Sequence, residues 1–364
     1  MKIKGLVFTK DGVFKPGEIE YEAGIIKTVS TGESVKLSTA EGKQYIIPGL
    51  VDIHSHGCMG EDTSDGNPEG ILKMAEYQRS VGVTSYFPTT MTLGEKELTK
   101  AVEAVKEAAS ETSVIKGIYL EGPFISMAKR GAQNPKFVCA PDSAMVERLQ
   151  KASGGMIKFV AIAPEVEGAT AFIKDNFGKY ALTIAHTEAD ADTAAGAMAL
   201  GVRHVTHFYN ACPPYTHRAP GVIGAAMDTD NVCVELIGDG IHVHPMVVRN
   251  TFRYFGGDRI CLISDSMRAC GMPDGSYSLG GQLVRVCGKL ATLEDGTLAG
   301  SVTNLFDCMR SVVRMGVPLE EAVKAATSTP AKEAGIFDAV GSLESGKRAD
   351  MVVFDEELDL IEVI

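Results

Sequence analysis

From Tyr45 onward, short apolar runs alternate with longer amphipathic segments, and this rhythm constrains the fold more than anything else in the chain. The runs are Ile46–His54, Val83–Phe87, Ile115–Glu121, Ile157–Ala163, Ala181–His186, Val202–His207, Val232–Ile237 and Ile260–Asp265. Nearly continuous apolarity suits strands buried on both faces, which requires helices to cover a parallel sheet. Helical spacing does appear between them, at Pro68–Ser80, Glu95–Ser110, Ser143–Ala152, Ala189–Leu200 and Pro245–Phe255. In Glu95–Ser110 a Leu, Ala and Val face opposes a Lys and Glu face, as in a helix lying on a core. Eight strands with intervening helices predict an α/β fold, a (β/α)8 TIM barrel.

Both ends of the chain read differently. Ile3–Phe8, Ile19–Tyr21 and Ile25–Val29 are strand-like and are separated by Asp11-Gly12, Pro16-Gly17 and Ala23-Gly24 turns. Beyond the eighth run come a glycine-rich β stretch (Gly275–Gly300), two helices (Val302–Met315 and Leu319–Thr327) and a last strand, Asp350–Asp355. The two ends are expected to pair into a small flanking β-sandwich domain, residues 1–44 plus 335–364, around a catalytic barrel of residues 45–334. Gly341–Arg348 imitates most of a phosphate-binding loop, but Arg348 stands where Ser or Thr must bind Mg²⁺, and a strand follows instead of a helix. A turn is the better reading.

Composition narrows the function classes. Hydrophobic residues make up 45% and charged ones 23%, which provides core enough to exclude a disordered chain. A net charge of −12 argues against general binding to nucleic acid or to an anionic membrane, since both need a basic surface. The first residues lack the apolar region of a secretory signal, and no stretch approaches the roughly 18 apolar residues of a membrane span. Eight cysteines occur without a Cys-x-x-Cys pair, unlike a disulfide framework. A cytoplasmic protein is expected.

The most informative feature is where the apolar runs stop. They end in Asp52-Ile53-His54-Ser55-His56, Glu121, His186, His207 and Asp265. In a barrel these are the carboxyl ends of strands, where active sites form. His54 and His56 are two apart on an extended end, so both rings face one side and can chelate one ion. A lone histidine at a strand end is more often structural than a ligand. Four histidines and a glutamate at strand ends are hard to explain as packing, because unpaired buried polar groups are costly. Imidazole and carboxylate without thiolate point to a catalytic divalent ion, Zn²⁺ first and Fe²⁺ or Mn²⁺ next, with an open position for water. Asp265, at the last strand end, is placed to act as the general base and acid; its plain alternative is a turn former in Ser264-Asp265-Ser266.

These residues carry a family resemblance. Pro48-Gly49-Leu50-Val51-Asp52-Ile53-His54-Ser55-His56-Gly57 resembles the first-strand motif of the amidohydrolase superfamily, and Gly346–Asp355 is similar to its C-terminal strand motif. Leu120-Glu121-Gly122-Pro123-Phe124, Ala185-His186-Thr187, Thr206-His207-Phe208-Tyr209-Asn210-Ala211, Asp239-Gly240-Ile241-His242 and Leu298-Ala299-Gly300-Ser301 resemble the amino-sugar-phosphate deacetylases within it. The resemblance implies hydrolysis of the 2-acetamido group of N-acetylglucosamine 6-phosphate. It implies Glu121, His186 and His207 around a principal ion, His54 and His56 completing a second position with Glu121 bridging, and Asp265 as acid and base. One or two ions per chain are therefore expected.

The sugar phosphate also gives roles to residues the ion does not use. A backbone N–H at Asn210-Ala211, the Arg218 guanidinium and the His242 imidazole are candidates to bind phosphate, with Arg218 as a solvated surface residue the bland alternative. His244 is expected to have an ordinary polar role. Where many members have histidine this chain has Gln133, whose amide can also donate to the substrate carbonyl. A homodimer is implied, with the Arg218 loop reaching a neighbour's pocket. Two other readings remain at this stage: an amidohydrolase acting on an N-acyl amino acid or cyclic amide, and an inactive binding scaffold of the same fold.

Overall fold

The computed structural model describes all 364 residues. Eight strands, Leu50–Ser55, Val83–Thr90, Ile118–Leu120, Ile157–Ile162, Ala181–Ile184, His204–Val205, Cys233–Ile237 and Ile260–Ile263, pair in parallel in sequence order. The Asp265 N–H donates to the His54 carbonyl at 2.9 Å and the His56 N–H to the Ser266 carbonyl at 2.8 Å, joining the last strand end to the first. Pro68–Ser80, Glu95–Ala109, Ser143–Ala152, Ala169–Asn176, Ala191–Ala199, Gly221–Asp228, Pro245–Phe255 and Leu305–Arg314 are the helices that follow them. The expected barrel is present.

Val51, Ile53, Phe87, Tyr119, Phe159 and Ile263 fill the barrel interior, packed with Ala331 of the short helix Ser328–Glu333. That helix lies against the strand starts, so the barrel is closed at that end and open only at the carboxyl ends of its strands. The packed lumen leaves the mouth as the one place where polar side chains from several strands can meet a ligand.

The chain ends form one six-stranded sheet, in the order Leu360–Val363, Met351–Phe354, Tyr45–Pro48, Lys2–Phe8, Phe14–Glu22 and Ile25–Thr31. Its strands alternate as a two-faced sheet must. Ile46, Met351 and Val353 join Val7 and Ile19 in a small core, whereas Ile47, Val352 and Phe354 point the other way into the main core. Tyr45–Pro48 thus pairs within this sheet before the chain enters the barrel. The glycine-rich stretch is a separate three-stranded sheet, Gly275–Leu279, Gln282–Cys287 and Leu290–Thr292.

Three helices escape sequence reading, Ala169–Asn176, Gly221–Asp228 and the barrel-closing Ser328–Glu333, and several strands are shorter than expected. All three are short and start without a side-chain cap, so the usual signals are missing. Ile115–Glu121 shrinks to Ile118–Leu120, Val202–His207 to His204–Val205 and Ile260–Asp265 to Ile260–Ile263. Residues 115–117 and 202–203 are lost from the strand starts, whereas Glu121, His207 and Asp265, the last residues of the three runs, leave the sheet to line the mouth.

Candidate active site

Leaving the sheet is what lets these side chains converge. His186, His207 and Asp265 have φ of 45°, 26° and 46°, the left-handed region that residues with a Cβ avoid at a cost of about 1–2 kcal/mol each. The barrel interior, packed beneath, holds that strain. Glu121 is followed by Gly122 at φ 86°, where a Cβ would lie 2.0 Å from Thr92 Oγ1, so the turn admits only glycine.

Glu121 is the centre of the arrangement. Its Oε1 lies 2.9 Å from His207 Nε2, 3.0 Å from His186 Nε2 and 3.7 Å from His54 Nε2; its Oε2 lies 3.1 Å from His56 Nε2. Asp265 Oδ1 sits 3.4 Å from His56 Nε2 and 3.6 Å from His54 Nε2. All six residues are buried. Each of three rings is oriented through its other nitrogen: His54 Nδ1 by Glu235 at 2.9 Å, His56 Nδ1 by the Thr89 carbonyl at 3.2 Å and His186 Nδ1 by the Lys129 carbonyl at 2.8 Å. Holding Nδ1 in this way turns Nε2 inward, as metal-ligating histidines require.

The donor set fits a divalent ion. His54, His56 and Glu121 offer ligand atoms within 4.8 Å of one another, and so do Glu121, His186 and His207, with Glu121 common to both groups. His54 Nε2 is buried with no hydrogen-bond partner, and the Nε2 atoms of His186 and His207 are only 3.2 Å apart. His186 and His207 both hydrogen-bond to Glu121 Oε1, and with the unpartnered His54 Nε2 their inward nitrogens converge as metal ligands do.

Electrostatics favour a cation there. Burial alone would push the Glu121 carboxyl up, but the His54 and His186 charges and the imidazole hydrogen bonds hold it well below the usual range. Burial would lower His56, yet hydrogen bonds to Asp265 and Glu121 raise it to about 9. Carboxylates that draw protons onto buried imidazoles attract a metal ion for the same reason.

A cavity of about 370 Å³ opens over the cluster, within the range of small-ligand sites. Gln133, Asn210, Ala211 and His242 line it together with His56, Glu121, His186, His207 and Asp265. Gln133 donates from Nε2 to Glu121 Oε2 and accepts the Thr92 N–H at 2.7 Å, which fixes its amide orientation. His242 Nδ1 is bonded to Asp239 at 2.7 Å, leaving Nε2 available. Arg218 is not brought to this cavity: it is exposed on its loop and absent from the lining of the single chain. His244 accepts the Met246 N–H and caps Pro245–Phe255.

Three supporting residues went unread in the sequence. Glu235 orients His54, and its signal was a carboxylate inside the apolar run Cys233-Val234-Glu235-Leu236-Ile237. Lys129 and Thr89 act through backbone carbonyls, for which no side-chain signal exists.

The profile of the Amidohydrolase family matches residues 45–363. The chain is 36% identical to N-acetylglucosamine-6-phosphate deacetylase of Bacillus subtilis (strain 168), over 98% of this chain and 93% of that protein. It is 31% identical to N-acetylgalactosamine-6-phosphate deacetylase of Escherichia coli O157:H7, over 98% and 95%. An Asp-to-Ala variant of N-acetyl-D-glucosamine-6-phosphate deacetylase from Mycobacterium smegmatis, solved in complex with N-acetyl-D-glucosamine-6-phosphate, superposes with a TM-score of 0.93 at 32% identity, covering 100% of this chain and 97% of that one. With the family motifs on the strand ends where the cluster forms, the chain belongs to the amidohydrolase family, in the group of these amino-sugar-phosphate deacetylases.

Proposed function

We propose that this chain is a metal-dependent deacetylase that hydrolyses the 2-acetamido group of N-acetylglucosamine 6-phosphate to glucosamine 6-phosphate and acetate. One observation carries the reading: Glu121 is shared by two His–carboxylate groups at the floor of a cavity, with the Asp265 carboxylate beside them. Glu121, His186 and His207 would hold the principal ion, and His54 and His56 with Glu121 a second; Zn²⁺ is the first candidate. Such an ion supplies Lewis acidity toward the acetamido carbonyl and lowers the pKa of water toward about 7.

The chain's own groups do the rest. Asp265 accepts the proton of the attacking water and returns it to the departing amine, and its position beside His56 keeps it at the reacting centre. The Gln133 amide, locked between Glu121 and Thr92, has an N–H left to donate to the carbonyl. For the phosphate, the His242 ring stands ready through Nε2, and Ala211 offers an N–H that donates to no acceptor in the chain. Arg218 completes the phosphate site from a partner subunit, which makes the working form a homodimer. Residues 1–44 with 335–364 act as the scaffold, joined there by the Tyr45–Pro48 strand, and the rest of residues 45–334 act as the catalytic part. No helix is long and apolar enough to cross a membrane, and a cytoplasmic setting suits the proposed substrate.

Acetate release from the metal-loaded chain tests this, with N-acetylglucosamine 6-phosphate compared against N-acetylglucosamine and N-acetylgalactosamine 6-phosphate. The proposal expects kcat/KM to be orders of magnitude higher for the phosphorylated glucosamine derivative than for the free sugar. Equal turnover of the two overturns the phosphate site, and preference for the galactosamine compound reassigns the sugar.

A further inference from the structure

We infer that the closed end of the barrel carries a separate metal site, formed by His204, Cys233 and Glu333 with Cys261 beside them, for a thiophilic divalent cation such as Zn²⁺. His204 opens the sixth barrel strand, Cys233 opens the seventh, and Glu333 ends the short helix that closes the barrel. Their ligand atoms all lie within 4.8 Å of one another. His204 Nδ1 is 3.1 Å from Glu333 Oε2, and the Cys233 and Cys261 sulfurs are 3.5 Å apart. A tetrahedral zinc with bonds of about 2.0–2.3 Å separates its ligands by roughly 3.3–3.8 Å, so side-chain shifts below about 1 Å admit the ion.

The surroundings are those of a metal histidine. His204 Nε2 lies 3.0 Å from Glu235 Oε1, which holds the ring hydrogen there and directs Nδ1 at Glu333 and Cys233. With Nε2 so engaged, Nδ1 and the Glu333 carboxylate face each other as lone-pair sites and need a proton or a cation between them. Thiolate, imidazole and carboxylate together select zinc-class ions over Mg²⁺ or Ca²⁺. Glu333 provides the way in: its side chain is 30% exposed and lines a cavity of about 230 Å³ with Phe177, Tyr180 and Arg203. On loading, the Cys233 thiol and His204 Nδ1 release their protons to solvent and the ion ties the closing helix to two strands. No substrate reaches this end, so the site is structural.

Cobalt distinguishes it from the mouth of the barrel, whose converging side chains offer only nitrogen and oxygen. Titration of the folded chain with Co²⁺ is expected to give a thiolate-to-cobalt charge-transfer band in the near ultraviolet, saturating at about one ion per chain. Cys233→Ala abolishes the band, and Glu333→Gln weakens the cobalt affinity about tenfold or more while the band persists at saturation. His54→Ala leaves the band unchanged. A titration without a thiolate band overturns the inference, as does a band that survives in Cys233→Ala. Should Cys233→Ala fail to fold, Glu333→Gln decides, at the one ligand that reaches solvent: an affinity equal to the parent chain's refutes the site.

Discussion

Glu235→Gln separates metal-site support from simple packing, because the change alters one atom's chemistry and almost no volume. The carboxylate is fully buried and accepts three hydrogen bonds: from His54 Nδ1 at 2.9 Å, His204 Nε2 at 3.0 Å and the His207 N–H at 3.1 Å. Burial pushes its pKa up, but His54 and His204 outweigh that and hold it well below the usual range, so it is a carboxylate in the folded chain. A glutamine amide must turn an N–H toward one of those donors. If no group yields, a buried charged acceptor has been removed at a cost of about 3–5 kcal/mol. At about 2.1 cal/mol/K per residue over 364 residues, that lowers Tm by about 4–7 °C. If His54 yields, its proton moves to Nε2, the atom facing Glu121 and Asp265, and the ring loses the lone pair a metal needs. That route appears as a 10–100-fold loss of metal affinity, about 1.4–2.7 kcal/mol. Chelator competition and thermal unfolding of parent and variant measure both. A variant with parental metal affinity and Tm within about 1 °C would show that Glu235 does not set the orientation of His54.

Other perturbations address the remaining links. Asp265→Asn should keep its metal content, by elemental analysis, while acetate release falls about 10²–10⁴-fold; a mildly affected variant removes Asp265 from the proton transfer. In the metal-free chain His56 is raised to about 9, so below that pH a metal must displace a proton. His54, which Glu235 and Glu121 raise well above the usual imidazole range against the effect of burial, must release a proton as well, so apparent affinity at the His54–His56 position should rise by at least about tenfold per pH unit between pH 6 and 9, a flat profile over that range being the contrary result. The same shift makes proton binding stabilise the metal-free fold below pH 6.5, with that contribution lost as pH climbs through 9; urea unfolding across that range reads it. Arg218→Ala should raise KM for the phosphorylated sugar far more than for the free one, and sedimentation should show a dimer; a monomeric, unaffected variant leaves Arg218 as an ordinary surface residue.

Much of this was legible along the chain. Parallel-strand runs, their order and their ionisable ends follow from local pattern, because a strand buried on both faces must be apolar until it leaves the sheet. The helices at 169–176 and 221–228 were not, since neither has a capping side chain. Glu235 was visible as a charge within an apolar run, yet only its distance to His54 gives it a task. Asn210-Ala211 were read as offering a backbone N–H to phosphate; the Asn210 N–H and its side-chain amide nitrogen both turn back onto the His207 and Phe208 carbonyls, which leaves the Ala211 N–H for that part.

Pattern along the chain fixes which residues are buried, which turn outward and which chemistry they bring, because hydrophobic periodicity and side-chain type are local properties. Convergence is not local. Glu121 meets His54, His56, His186 and His207 across separate strands, and Arg218 stays apart from them, because only barrel closure and the left-handed turns at His186, His207 and Asp265 set the directions of those side chains. The His204, Cys233 and Glu333 cluster is the same lesson at the other end, where residues far apart in sequence share one point in space.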